Sequence, residues 1–135
     1  MSSAYHAITL PLPHKRLSPQ NNGLPLHKAG YVKSYRQRCA NECILRKLPK
    51  FTKLVIIHLD FYLARLDPTR YYPLDSSNAR ASFKAGLDGM CDAGIFQNDS
   101  YLHVEDGRTT LHRTKDKHKG RCCLILTIEV PGDDE

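Results

Sequence analysis

Four charged residues that could act together in phosphate chemistry lie within 25 positions of this 135-residue chain: Asp75, Lys84, Asp88 and Asp99. Carboxylates that converge can hold Mg²⁺, a hard cation that takes oxygen ligands and lowers the pKa of a bound water. A nearby lysine can stabilise the negative charge that develops on a phosphoryl group. These residue types suggest metal-assisted cleavage of a phosphodiester.

Spacing alone does not bring the two outer carboxylates together. Asp75 and Asp99 flank a predicted helix of about 16 residues, which would span roughly 24 Å, so they can meet only if the flanking segments fold back. Each residue also has an ordinary interpretation. Lys84 and Asp88 are four apart and can form a surface ion pair. Asp75 can simply precede the helix N-terminus, where the helix dipole favours a negative charge. Asp99 can be an ordinary turn residue.

The elements that must position these residues follow from hydrophobic periodicity and from Pro and Gly punctuation. We expect strands over 5–12, 51–64, 101–104 and 122–130, and helices over 28–48 and from Ser76, Ser77 or Asn78 to Gly94. Loops are expected over 14–26, 65–74, 97–100 and 113–121. The fold class is α+β with α/β-type layering: a mixed sheet of four to five strands packed with two helices. At this length we expect a single domain, 1–135, with a frayed tail at 131–135.

Two apolar stripes should form the core. On the first helix the stripe comprises Tyr31, Tyr35, Cys39, Cys43 and Ile44. On the long strand, one face carries Val55, Ile57, Leu59, Phe61 and Leu63, and the other carries Leu54, Ile56, His58, Asp60 and Tyr62. The second face becomes more polar along the strand, so we expect it to be only partly covered.

The positive charge is concentrated in the first half of the chain. Residues 1–70 carry a net charge of +9 and residues 71–135 a net charge of −3, within a total of +6. A basic half beside an acidic one suits a polyanion surface next to a cation site, although a solvated basic face is as good an interpretation. The candidate phosphate contacts are Lys28, Lys33, Arg36, Arg38, Arg113, Lys115 and Lys117. Tyr71 and Tyr72 could stack on unpaired bases or pack under their loop.

The five cysteines indicate a reducing compartment, because their number is odd and no secretory signal precedes them. Cys39 and Cys43 could supply two zinc ligands, but no second Cys/His pair with suitable spacing follows, so buried free thiols are expected. No apolar run approaches the length of a membrane span. We expect a soluble, cytoplasmic protein.

The run from Asp75 to Asp99, DSSNARASFKAGLDGMCDAGIFQND, resembles the core of RusA-type Holliday junction resolvases. It is similar to the pattern of their phage-like branch, D-P-x-N-x-x-P-T-x-K-A-x-x-D-G-L-x-x-A-G-x-x-x-D-D. The positions that match are Asp75, Asn78, Lys84, Asp88, Gly89, Ala93, Gly94 and Asp99. Weaker likenesses are LPLP at 10–13, LSPQNN at 17–22, HK at 27–28, KSYR at 33–36 and ILTIEV at 125–130, so the resemblance spans nearly the whole chain.

The resemblance implies a homodimeric, Mg²⁺-dependent endonuclease that cleaves branched DNA such as four-way junctions in recombination and repair, with Mn²⁺ as a substitute metal. It implies that Asp75 and Asp99 are metal ligands and that Lys84 is catalytic. Asn78 would cap the helix or hold a water, and Asp88 matches a further family carboxylate.

The chain departs from this pattern where carboxylates are common. Ser77 and Asn98 replace two of them, which removes negative charge and should weaken metal binding. Asp75 and Asp99 must then carry more of the metal, with Asp60 or Asp88 as candidate further carboxylates. A rival register through Asp67 and Pro68 lacks the following Asn and breaks the spacing to Lys84.

Two other functions fit the sequence. One is a non-catalytic relative that binds DNA junctions without cleaving them. The other is a small basic RNA-binding or ribosome-associated protein, in which the first helix and the loop 113–121 would be the functional parts.

Overall fold

One four-stranded mixed sheet organises the chain. The computed structural model describes residues 3–14, 17, 25–64, 76–97, 103–114 and 123–132. The elements are β1 (Ala4–Leu10), α1 (Pro25–Leu45), β2 (Val55–Ala64), α2 (Ser76–Ser82), α3 (Lys84–Asp92), β3 (Val104–Thr114) and β4 (Cys123–Val130). The strand order is β1-β4-β2-β3, with β2 and β3 parallel and the other pairs antiparallel. The predicted α+β class is confirmed.

The core face of the sheet is the one predicted from the long strand. Val55, Ile57, Leu59, Phe61 and Leu63 are all buried, and Leu124, Leu126 and Ile128 of β4 lie beside them. Alternation with period two puts these side chains on one face. β1 is an edge strand of the sheet.

α1 presents most of the predicted stripe to the core. Tyr35, Cys39 and Cys43 are buried, but Ile44 is 64% exposed, so its assignment to the stripe is wrong. The reason is rotation: Ile44 is 100° from Cys43 around the helix, on the far side from Tyr35. None of the helices in the described ranges is long and apolar enough to cross a membrane.

α1 ends at Leu45 rather than at the predicted Leu48. Lys47 adopts a left-handed backbone conformation with φ 54°. The Leu48 N–H donates to the Cys43 carbonyl and the Lys47 N–H to the Ile44 carbonyl, which are the two hydrogen bonds of a Schellman cap. The chain therefore leaves the helix before Pro49.

The helix predicted from about Ser76 to Gly94 is in fact two helices, α2 and α3. The buried Ser82 hydroxyl donates to the Ala79 carbonyl at 2.6 Å, which occupies the acceptor that the Phe83 N–H would use in a continuous helix. The Phe83 N–H donates to the Arg80 carbonyl instead. A serine that bonds back to the preceding turn in this way competes with the helical pattern.

α3 packs against α1 through a glycine. A Cβ on Gly89 would collide with the backbone carbonyl oxygen of Arg36, so only a residue without a side chain fits there. At its other end, α3 stops at a second Schellman cap in which Gly94 has φ 81°. Ile95, the next residue, is buried in the core and fixes the start of the segment that follows α3.

The strand predicted over 101–104 overlaps β3 only at Val104, because His103 is in a turn and β3 runs on to Thr114; Tyr101 and Leu102 lie outside the described residues. Residues 105–112, EDGRTTLH, include few apolar side chains, as an edge strand allows. A register irregularity also interrupts the alternation along β3. Arg113 and Thr114, which were expected in a loop, end the strand. Residues 115–122 lie outside the described residues.

Candidate functional site

Lys84 and Asp88 lie together on α3, as their spacing predicts. Lys84 is the first residue of α3, its side chain is 60% exposed, and its Nζ lies 2.9 Å from Asp88 Oδ1. The surface ion pair of the ordinary interpretation is therefore present. Asn78 is half-buried in α2. Asp75 and Asp99 lie outside the described residues.

Lys84 also lines a cavity of about 560 Å³ between the α2–α3 segment and the β2–β3 pair. Its apolar wall comprises Ile57, Leu59, Ala81, Phe83, Leu87 and Val104. Its polar wall comprises Ser77, Arg80, Lys84, Asp106 and Thr109. The size and the mixture of a mainly apolar lining with a few polar groups are typical of ligand sites.

A β-bulge puts two polar side chains of β3 into this cavity. Asp106 pairs with Ile57 and Thr109 pairs with Leu59, so Gly107 and Arg108 both lie opposite the single residue His58. In a regular strand, residues three apart point to opposite faces. Because the bulge adds one residue, Asp106 and Thr109 share the core face of the sheet.

His58 holds the bulge from the other face of the sheet. Its Nδ1 accepts a hydrogen bond from the Arg108 backbone N–H at 2.9 Å, so the other ring nitrogen carries the hydrogen and donates to Glu129 Oε1 at 2.7 Å. The bond from His58 is the main cause that lowers the pKa of the Glu129 carboxyl below its ordinary value. A Cβ on Gly107 would overlap the His58 ring, so the bulge requires glycine.

Arg80 is the most constrained charged side chain of the cavity. Its Nη2 donates to the Ile57 carbonyl and its Nη1 to Thr109 Oγ1 at 3.1 Å, which ties α2 to both strands. Its Nε is buried and lies 3.3 Å from Asp106 Oδ1, within ion-pair distance but without a hydrogen bond. Burial lowers the pKa of Arg80, and the nearby Asp106 opposes that effect.

Arg80, Asp106 and Thr109 were missed by the sequence interpretation. Arg80 stands four positions before Lys84. This spacing places two residues on the same face of a helix, so it could have predicted that the two side chains lie near each other. Asp106 and Thr109 carried no such signal, because their common orientation depends on the bulge. Asp60 was considered as a further carboxylate for the site, but its neighbour Leu59 lines the cavity and Asp60 points to the opposite face of the sheet.

Asp60 instead belongs to a polar cluster on that opposite face. His112 Nε2 lies 2.8 Å from Asp60 Oδ1, and the His112 ring stacks on Tyr62 with centroids 4.5 Å apart. Arg108 Nη2 approaches Asp60 Oδ2 at 3.7 Å. The carboxylate is thus engaged away from Lys84.

The oxygen donors that face the cavity are of the type Mg²⁺ takes. They are the Asp106 carboxylate and the Ser77 and Thr109 hydroxyls. Within the described ranges, however, no group of three or more His, Cys, Asp or Glu side chains could hold a metal ion. The described lining supplies one carboxylate, which Arg80 Nε approaches at 3.3 Å, and the two expected metal ligands, Asp75 and Asp99, lie outside those ranges.

The basic residues predicted on α1 are partly engaged within the protein. Arg36 makes a two-point ion pair with Asp92 of α3, with Nε–Oδ2 2.5 Å and Nη2–Oδ1 2.8 Å. Arg38 approaches Glu42 at 3.8 Å, Lys33 is exposed and Lys28 is half-buried. The other nucleic-acid candidates fall elsewhere: Tyr71, Tyr72, Lys115 and Lys117 are outside the described residues, as is the side chain of Arg113.

Cys39 and Cys43 are buried free thiols, as expected. Burial raises the pKa of Cys39 to about 12 and that of Cys43 to about 11, so both stay protonated at neutral pH.

No protein-family model and no curated protein matches this sequence.

Proposed function

We propose that this protein is a Mg²⁺-dependent, structure-selective endonuclease that cleaves branched DNA such as four-way junctions. The observation that carries the proposal is the position of Lys84. This lysine has the spacing of a resolvase-like catalytic lysine, and it lines a ligand-sized cavity together with a second cation, Arg80. Two cations beside a concave site suit a phosphodiester substrate.

Asp75 and Asp99 are the proposed metal ligands. Ser77, two positions after Asp75 in the sequence, lines the same cavity as Lys84, as does Val104, five positions after Asp99. Asp75, only two residues before Ser77, would be within reach of the same cavity. When bound, Mg²⁺ would supply charge neutralisation at the phosphoryl oxygens and activation of an attacking water.

Lys84 would stabilise negative charge on the phosphoryl group as it is attacked. Asp88, 2.9 Å from Lys84 Nζ, would orient the ammonium before DNA binds. Asn78 would cap the α2 segment or hold a water near the metal. Since Lys84 is largely exposed, the ammonium can exchange part of its contact with Asp88 for a phosphate oxygen.

The DNA backbone would extend from the cavity to basic side chains of α1. Lys28, Lys33 and Arg38 are the proposed phosphate contacts there, and Arg36 joins them when a phosphate replaces Asp92. Beyond the described residues, Arg113, Lys115 and Lys117 would contact the backbone, and Tyr71 and Tyr72 would stack on bases at the branch point. A homodimer would present two such sites to two strands of a symmetric junction.

The test compares nicking of a synthetic four-way junction by the wild type with that by Asp75→Asn and Asp99→Asn, in Mg²⁺ and in EDTA. We expect both variants to lose cleavage and to keep junction binding. Asp60→Asn is the matched control, because it makes the same carboxylate-to-amide change on the opposite face of the sheet, and it should cut normally. Cutting at the wild-type rate by either variant would contradict the ligand assignment.

The same assay separates the competing functions. Junction binding without Mg²⁺-dependent nicking in the wild type would identify a non-catalytic junction binder. Preference for structured RNA over branched and duplex DNA, at fixed salt, would identify an RNA-binding protein.

A further inference from the structure

The cavity beside Lys84 has two chemically different walls. Leu87, Phe83 and Val104 form part of an apolar wall, whereas Arg80, Lys84 and Asp106 contribute two positive charges and one negative charge. A simple metal or phosphate site would need only the polar wall. A volume of about 560 Å³ accommodates a small organic molecule that is polar at one end and apolar at the other.

Arg80 is positioned in advance for an anion. Two of its donors are fixed by the Ile57 carbonyl and Thr109 Oγ1, which leaves the guanidinium little rotational freedom. Its side chain is only 19% exposed, and its buried Nε makes no hydrogen bond within the described part of the chain. The guanidinium is thus held in place at the edge of the cavity, where its fixed charge can attract an anion.

Asp106 does not neutralise this cation fully. The carboxylate is 78% exposed, so water screens it, and it meets Arg80 at 3.3 Å without a hydrogen bond. Lys84 lies four residues further along the chain and also lines the cavity. The lining residues of the polar wall thus comprise two cations and one carboxylate, and Asp88, which pairs with Lys84 at 2.9 Å, lies outside the lining.

We propose that this cavity binds one nucleotide of a DNA strand, with its phosphate held by Arg80 and Lys84 and its base and sugar against the apolar wall. The choice of a nucleotide rests on the proposed function, because branched DNA offers unstacked nucleotides at the branch point. Binding itself requires no metal, since both cations belong to the protein.

The test is an NMR titration of the full chain with thymidine 5′-monophosphate in EDTA, following the backbone amides of Ala81, Gly107 and Thr109. We expect saturable shifts at these amides. Thymidine and inorganic phosphate, each alone, should bind at least about tenfold more weakly, because each occupies only one wall. Equal binding of inorganic phosphate would contradict the role of the apolar wall and leave an anion site only.

The variants separate the contribution of each wall. Lys84→Met and Arg80→Lys should each weaken binding about tenfold, since lysine lacks the planar fork of arginine. Ala81→Trp places bulk in the cavity from an exposed helix position and should abolish binding. The matched controls are Lys50→Met, at an exposed position outside the cavity lining, and Ala29→Trp on α1, which should both bind like the wild type. Wild-type affinity in Ala81→Trp or Lys84→Met would overturn the inference even if Arg80→Lys fails to fold.

This inference and the proposed function can fail separately. Junction cleavage without mononucleotide binding would overturn the cavity assignment alone. Mononucleotide binding without cleavage would sustain the cavity assignment and contradict the nuclease.

Discussion

His58 on β2 accepts a 2.9 Å hydrogen bond at Nδ1 from the backbone N–H of Arg108 on β3. This bond joins the two strands at the one place where their register slips. The slip turns both Asp106 and Thr109 toward α2, where Thr109 holds Arg80. One residue on the outer face of the sheet thus shapes the cavity on the inner face.

Gly107→Ala should destabilise the protein, because the added Cβ would overlap the His58 ring and also crowd Ile56. We expect a loss of about 1–3 kcal/mol in the free energy of unfolding, the usual cost of overpacking. Urea unfolding measures it. In a His58→Ala background the same change should cost clearly less, because the ring that it meets is gone. Equal costs in both backgrounds would contradict the account of the bulge.

Gly89→Ala should push α1 and α3 apart, because its Cβ would collide with the Arg36 backbone carbonyl. The expected loss is about 1–3 kcal/mol of unfolding free energy. Gly30→Ala is the matched control, since a Cβ on Gly30 of α1 meets nothing within 4 Å. That control should gain roughly 0.5–1 kcal/mol from helix propensity. A decrease in the unfolding free energy for Gly89→Ala and an increase for Gly30→Ala, both measured by chemical denaturation, would support the close contact between Gly89 and the Arg36 carbonyl.

Lys47→Gly should stabilise the protein by about 1 kcal/mol, because Lys47 holds the left-handed C′ position of the α1 cap. Thermal or urea unfolding will detect a change of this size. Lys47→Ala serves as the control, since alanine keeps the Cβ that makes this conformation costly. If alanine stabilises as much as glycine does, backbone strain is not the cause.

Asp92 should make stability depend on pH in acid. Its pKa is lowered from 3.8, chiefly by the hydrogen bond from Arg36, so its stabilising contribution is complete above that value. The contribution is lost as the pH falls through the lower, folded-state pKa. The difference in unfolding free energy between the wild type and Asp92→Asn should therefore be constant from neutral pH to about pH 5 and shrink below pH 3.8.

An Arg36→Gln variant provides the check on that pair. Once Arg36 is replaced, Asp92→Asn should no longer change the acid dependence. A dependence that persists in the Arg36→Gln background would assign it to another group.

The fold was predictable wherever hydrophobic alternation was complete. Every second residue from Val55 to Leu63 is apolar, so the sequence predicted both the strand and its buried face. Residues 105–112 did not reveal β3, because an edge strand needs little apolar surface and the bulge at Gly107 breaks the period. The division between α2 and α3 was also hidden, since it depends on one hydroxyl, that of Ser82.

The candidate site was predictable only in part, for the same reason. The spacing of Lys84 and Asp88 gave their contact directly, because a helix places residues four apart side by side. Arg80 of α2 is held by hydrogen bonds to Ile57 and Thr109, which lie on two strands more than twenty positions away in the sequence. Tertiary contacts of that kind leave no periodic signal in the sequence.

The most direct measurement is the nicking of a four-way junction by the wild-type protein with and without Mg²⁺. The proposed function predicts paired nicks near the branch point in Mg²⁺, none in EDTA, and no cleavage of a linear duplex of the same sequence. Nicking that is equal in EDTA, or a junction that stays intact in Mg²⁺ while the protein binds it, would contradict the proposal.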